Sequence, residues 1–297
     1  MRILVTGASG WIGFAVVAEL IAAGHHVLGL VRTDEAAAKV EKLGAEVIHG
    51  SLDDTGGLRS ACVRAEGVVH LGYNHDFSQM AAAAQTDRAA IEVFAQALEG
   101  TGGPLLIASG TLGLASDRVG TEEDQPNPAS HPRVANAAYT LGLAEREIRS
   151  IVVRFAPTVH GSGGDHGFVS VLAHTAREKG VSAYIGDGLN QWPAVHRLDA
   201  AKLVRLAIER AQPGTVLHAV AEVGIPTRDI ADAIGKFLNL PVAPVPRENA
   251  AEHFGWLGMF FGANVPASSA ITRDLLGWEP TQPTLLEDIA AGHYPGK

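Results

Sequence analysis

The chain has 297 residues, enough for one large α/β domain or a main domain with a smaller one appended. Hydrophobic residues make up 46% and charged residues 19%, with 34 Gly and 15 Pro scattered along the chain, which excludes a disordered chain and a fibrous repeat. The 23 Lys and Arg against 32 Asp and Glu leave a net charge of −9 and form no basic run, which excludes nucleic acid as a partner.

The lone Cys62 has no partner for an intrachain disulfide or a thiolate zinc site, which suits a reducing, cytoplasmic compartment. The first apolar stretch stops at Gly7, too short for the core of a signal peptide, and no run reaches the roughly 20 apolar residues of a membrane span. The expectation is a soluble protein with no membrane partner, acting as a monomer or homodimer.

In chain order, short apolar runs at 3–5, 26–31, 46–48, 67–71, 105–108 and 151–155 predict buried parallel strands. Between them, 11–23, 34–43, 55–65, 80–99 and 133–149 are long enough for helices and rich in good helix formers. This order, with right-handed crossovers, predicts an α/β, doubly wound parallel sheet of the Rossmann kind over residues 1–155. Past Phe155 the alternation is lost, and PTVHGSGGDHG, PVAPVPREN, FGANVPASS and GWEPTQPT break the chain with Gly and Pro. A helix over 198–211 and a strand over 215–220 are expected to rejoin the main sheet, so that 195–222 returns to the core. The remainder of 156–297 is expected to form a small discontinuous cap over a substrate.

Residues 3–16 read ILVTGASGWIGFAV, a strand, then Gly7, Gly10 and Gly13, then a helix. Gly7 permits the tight turn, Gly10 lets the backbone approach a pyrophosphate, and Gly13 lets the helix pack on the sheet. Ser9, Trp11 and Ile12 lie between these glycines, where a helix N-terminus presents free N–H groups to the anion. The second strand ends GLVRTDE, and cofactor choice is normally decided at this tip. A guanidinium at Arg32 with the Thr33 hydroxyl beside it matches a ribose 2′-phosphate, which favours NADP over NAD. Asp34 is the competing ribose acid, although its place before EAAAKV suits a helix N-cap. Asp53, at the third strand tip, either accepts from the adenine amino group or, like Asp54, caps the following helix.

TGASGWIG, the Asp53 tip, HLG, IASGT and RFAPTVHG, followed by IGDGLNQWPAVHRLDAAKL, together resemble the extended short-chain dehydrogenase/reductase family of epimerase/dehydratase-like proteins. The likeness covers nearly the whole chain. It implies a nicotinamide cofactor bordered by Leu71, Gly72, Ser109, Pro157 and Val159, and a substrate held between the Rossmann domain and the cap. It also implies a Ser or Thr after the fifth strand, which Thr111 supplies, and a Tyr-x-x-x-Lys on the next helix. That pair is missing: Tyr139 precedes Leu143 by four residues, and no Lys lies between Lys42 and Lys179. The chain thus resembles the atypical branch. Where the family Tyr would fall it reads His131-Pro132-Arg133, with Asn136 near the expected Lys.

The proton donor is therefore open between Tyr139 and a histidine, with His131, His75, His160 and His166 on loops expected at the carboxyl edge of the sheet. Tyr73 is placed with them beside the substrate. The spacing of His160, Asp165 and His166 matches no standard ligand set, so no metal is expected. Asp199 reads as a helix cap. Trp192 either lines the substrate pocket or packs it, and the aromatic run HFGWLGMFFG either covers an apolar substrate or forms a dimer surface. The reading that follows is an NADP(H)-dependent oxidoreductase reducing a carbonyl of a small, largely apolar molecule, with Thr111 polarising the oxygen. The alternatives are a sugar-nucleotide epimerase or dehydratase using NAD, and a non-catalytic NADP(H) sensor.

Overall fold

The computed structural model describes residues 1–74, 79–115 and 117–294. The first half alternates β1 (Arg2–Thr6), α1 (Trp11–Ala22), β2 (His26–Val31), α2 (Asp34–Glu41), β3 (Glu46–His49), α3 (Thr55–Cys62), β4 (Gly67–His70), α4 (Met80–Leu98), β5 (Pro104–Gly110), α5 (Pro132–Gly142) and β6 (Arg149–Phe155). The inner strands bury side chains on both faces, as strands of a covered parallel sheet must, while the edge strand β3 is only partly buried. Val27, Val31 and Val153 join one hydrophobic cluster, and Leu28, Leu30 and Val152 join the other, so the sheet is sandwiched between two cores. The helix expected over 133–149 stops at Gly142. A short 3-10 turn, Leu143–Arg146, and a left-handed Glu147 (φ 55°) turn the chain into β6.

The second half contributes β7 (Thr158–His160), α6 (Phe168–Lys179), β8 (Ser182–Ile185), β9 (Gln191–His196), α7 (Arg197–Arg210), β10 (Thr215–Ala219), β11 (Glu222–Pro226), α8 (Thr227–Leu238), β12 (Val242–Val245), α9 (Ala250–Phe254), α10 (Gly258–Phe261), α11 (Ala270–Leu276) and α12 (Leu285–Ala290). β10 pairs in parallel with β6, completing a seven-stranded sheet in the order β10-β6-β5-β4-β1-β2-β3. α7 packs against α1, and Ala267, Leu276 and Trp278 join the same core. The rest is more regular than the loss of alternation suggests: β11-β9-β7 form a second sheet and β12-β8 a parallel pair. The proline-broken texture is accommodated because β12 is an edge strand and Pro193 in β9 falls outside both pairing registers. Among the described residues, no helix is long and apolar enough to cross a membrane.

Candidate active site

From β1 the chain runs outward to β3, and from β4 it runs the opposite way to β10. A crevice therefore opens where β1 and β4 present their carboxyl ends side by side. Gly7 turns into this crevice at φ 67°, and a Cβ on it would lie 2.8 Å from the Gly72 nitrogen. A Cβ on Gly13 would lie 2.0 Å from the Gly7 carbonyl oxygen, so α1 reaches this close only with glycine there. A Cβ on Gly10 meets that oxygen at 3.2 Å and nothing else within 4 Å. No side chain caps α1 and no acid stands in its first turn, which leaves its leading N–H groups for an anion. This cradle fits the pyrophosphate of a dinucleotide, whose nicotinamide would exchange a hydride at the crevice. Ser9 is exposed at its tip and Ile12 is half-buried behind it.

Trp11 turns its ring away from the cradle. Its Nε1 donates to the Val159 carbonyl at 2.7 Å, and the Arg197 guanidinium sits 4.2 Å over the ring, tying the turn to β7. Val159 thus supports the cradle from the side, and Pro157 stands two residues before it, between β6 and β7.

At the β2 tip Arg32 is exposed and has no ion-pair partner among the described residues. The α2 cap is Thr33, whose hydroxyl accepts from the Ala36 N–H at 3.2 Å, and not Asp34, which stands in the first helical turn. Asp54 caps α3 by accepting from the Gly57 N–H at 2.9 Å, leaving Asp53 exposed with a 3.1 Å bond from the Thr86 hydroxyl.

Below the crevice runs a buried chain of polar groups that sequence spacing does not announce. The Gly72 N–H donates to Thr6 Oγ1 (3.0 Å), which bonds His70 Nδ1 (2.7 Å), and His70 Nε2 bonds Asp87 (3.1 Å). Asn136 Nδ2 donates to Asp87 (2.7 Å) and to the Ala84 carbonyl (2.9 Å). Burial pushes Asp87 up, but the bonds from His70 and Asn136 and the charge of Arg133 outweigh it and hold its carboxyl below the usual range. Leu71, Gly72 and a half-buried Tyr73 leave β4 directly above this chain.

Ser109 is the penultimate residue of β5, and Thr111 directly follows the strand with its N–H donating to the Phe155 carbonyl at 3.0 Å. Thr111 is 2% exposed, and its Oγ1 has no hydrogen-bond partner among the described residues. A buried hydroxyl left unpaired is uncommon, and a ligand, water or ion at this point would complete its bonding.

Three expected site residues fall elsewhere. Tyr139 lies about 9 Å further down α5 than Arg133, at 1.5 Å rise per residue. There it lies under Arg88, 3.4 Å from its ring, and beside Arg146, which pairs with Glu99 at the opposite edge of the sheet. His160 is fully buried between carboxylates, its Nδ1 bonded to Asp288 at 2.6 Å and its Nε2 3.7 Å from Glu222 with no hydrogen-bond partner among the described residues. Trp192 is 1% exposed, wedged between Phe168 and Phe261, with Nε1 donating to the Ala263 carbonyl: it packs the hydrophobic cluster of the second half. His131 caps α5, its Nδ1 accepting from the Arg133 N–H at 3.2 Å, a bond that a proton on Nδ1 would abolish. Asp199 is not a cap either, since its carboxylate accepts from the Thr281 and Gln282 N–H groups. His166 is exposed on the glycine-rich loop. His75 lies outside the described residues. Among the described residues no group of three or more His, Cys, Asp or Glu is placed to hold a metal.

A glycine cradle at the switch point of a doubly wound sheet defines a Rossmann NAD(P)-binding protein of the oxidoreductase type. Residues 3–221 match the model of the NAD dependent epimerase/dehydratase family, and the chain belongs to that family. An uncharacterized protein of Schizosaccharomyces pombe is 45% identical over 295 residues, spanning 99% of this chain and 100% of its own. A 4-hydroxy-2-methyl-3-oxo-4-farnesyl-3,4-dihydroquinoline-1-oxide ketoreductase of Stigmatella aurantiaca is 26% identical, covering 95% of this chain and 88% of its own. The crystal structure of the UDP-glucose 4-epimerase of Thermotoga maritima superposes with a TM-score of 0.78 at 21% identity over 99% of this chain and 98% of that one, a likeness of fold.

Proposed function

We propose that this chain is an NADP(H)-dependent reductase that delivers a hydride to the carbonyl of a small, largely apolar molecule in the cytoplasm. The observation that carries the reading is the Thr111 hydroxyl, buried and unpaired at the exit of β5 beside the dinucleotide cradle. A reacting carbonyl oxygen supplies the partner it lacks. The likeness to a ketoreductase over 95% of the chain supports the same direction of chemistry. Epimerases and dehydratases begin by taking a hydride from an alcohol, which needs a general base, and α5 carries no Tyr–Lys pair to serve as one. Reduction has no such requirement.

NADP is favoured over NAD by the unpaired Arg32 at the β2 tip, with Asp34 drawn into α2 and 4.0 Å from His49. Calorimetry is expected to give much tighter binding for NADPH than NADH. Arg32→Ala should weaken NADPH alone by roughly 1.5–3 kcal/mol, the worth of a charge-assisted contact. Equal affinities for the two nucleotides, or an Arg32→Ala protein that holds NADPH as before, would refute the NADP assignment.

A further inference from the structure

When a hydride reaches a carbonyl carbon, charge develops on the oxygen, and donors already fixed around that point set the rate. Thr111 offers one hydroxyl. The cation that usually accompanies it is absent, since residues 43–178 contain no Lys. α5 nonetheless carries a cation in its first turn, at the crevice end. Arg133 Nη2 donates to the Ala108 carbonyl at 3.2 Å, three residues before Thr111 on the same strand exit. Its Cζ stands 4.0 Å over the ring of Tyr73, which leaves β4. The guanidinium therefore bridges the carboxyl ends of β4 and β5, beside the switch point, and among the described residues one of its five N–H donors is committed, to Ala108.

Its position is fixed from below. Asn136, one helical turn on, clamps α5 to α4 through Asp87 and Ala84, and Asp87 continues through His70 and Thr6 to the Gly72 N–H beneath the cradle. Asp87 also supplies a buried countercharge to Arg133. Among the described residues nothing comparable holds Tyr139 toward the crevice.

We propose that Arg133 is the active-site cation of this chain, holding the substrate carbonyl oxygen together with the Thr111 hydroxyl and stabilising the alkoxide formed on reduction. The inference rests on the carbonyl-reduction reading. A C–H bond forms with the electron pair of the hydride, the carbonyl π pair moves to oxygen, and that oxygen takes a proton from water. The carbonyl is reduced and the nicotinamide oxidised. Neither a guanidinium nor a threonine hydroxyl titrates near neutrality, so turnover is independent of pH from about 6 to 9, whereas a histidine donor would lose activity above about 6.5.

The test uses the purified chain with NADPH and two probes, 4-nitrobenzaldehyde and ethyl acetoacetate. Arg133→Gln, which keeps an N–H for Ala108, is expected to lower kcat about 100-fold, with the NADPH Kd from calorimetry and the melting transition unchanged. Arg133→Lys recovers part of that loss and acquires a new decline near pH 10, because a lysine charge titrates there. If Arg133→Gln loses its melting transition, Arg133→Lys decides alone, and a profile as flat as the parent's removes the assignment. An unchanged kcat in Arg133→Gln, or an NADPH affinity that falls in step with kcat, also removes it while leaving carbonyl reduction standing. A parent chain that binds NADPH and reduces neither probe sinks the carbonyl reading, and the role of Arg133 with it.

Discussion

Gly10 and Gly13 share one turn but differ in what crowds them. A side chain at Gly13 would collide with the Gly7 carbonyl at 2.0 Å, and that backbone is pinned against Gly72. Gly13→Ala is expected to destabilise the fold by about 3 kcal/mol. Gly10 has ordinary backbone angles and open space beyond its 3.2 Å contact, so Gly10→Val keeps a near-native melting temperature while losing NADPH, whose pyrophosphate needs that space. Scanning calorimetry and nucleotide titration check the pair, and a Gly10→Val protein with parental NADPH affinity would move the phosphate site elsewhere. The glycines were legible because their spacing falls between an apolar strand run and a helix. His160 was not: its environment is made by Asp288, 128 residues away, and no local pattern reports that a histidine will be enclosed by carboxylates. Trp192 was equally ambiguous, because an aromatic that lines a pocket and one that fills a core look the same until Phe168 and Phe261 are placed around it.

At the scale of elements, the Rossmann strands were readable from their apolar runs, and β10 from its position after a clear helix. The pairing of β8 with β12 was hidden, since four-residue strands containing proline carry little periodicity and the partners are distant in sequence. α5 shows the same limit within one helix. Its existence was legible, but which face meets the crevice depended on Asp87 capturing Asn136 from α4. With Asn136 facing Asp87, Tyr139 points to the far edge of the sheet beside Arg146. Thr111→Val is therefore expected to lower turnover about 100-fold or more, the loss typical of one donor to a developing oxyanion. Its melting temperature should hold, because Oγ1 has no bond to lose. Tyr139→Phe should cost far less turnover, and steady-state kinetics on the same carbonyl compares them. The reverse order would restore Tyr139 as the acid and displace Thr111.

His218 joins the two halves of the molecule, and both it and His196, within the second half, are buried where a positive charge is disfavoured. His218 on β10 donates from Nδ1 to the Ser268 carbonyl at 2.7 Å and accepts at Nε2 from Arg154 on β6 at 3.3 Å. Burial lowers its pKa below 6.5 and Arg154 adds to this, against the opposing pull of Glu122 and Asp124. His196 at the end of β9 is lowered likewise, by burial first and against Asp288. In the unfolded chain both take protons near 6.5, while in the fold they resist to lower pH. Their stabilisation is thus complete above pH 6.5 and fades as pH falls toward the depressed values, by up to about 1.4 kcal/mol per pH unit for each proton withheld. Denaturant unfolding is expected to give a midpoint that is level between pH 7 and 8.5 and falls steadily below about 6.5. His218→Asn places an amide N–H near Ser268 without a titrating ring, so its midpoint starts lower at pH 7.5 but declines less steeply toward pH 5.5. A decline parallel to the parent's at every pH would show that the acid sensitivity lies elsewhere, with His196 beside Asp288 as the next joint to vary.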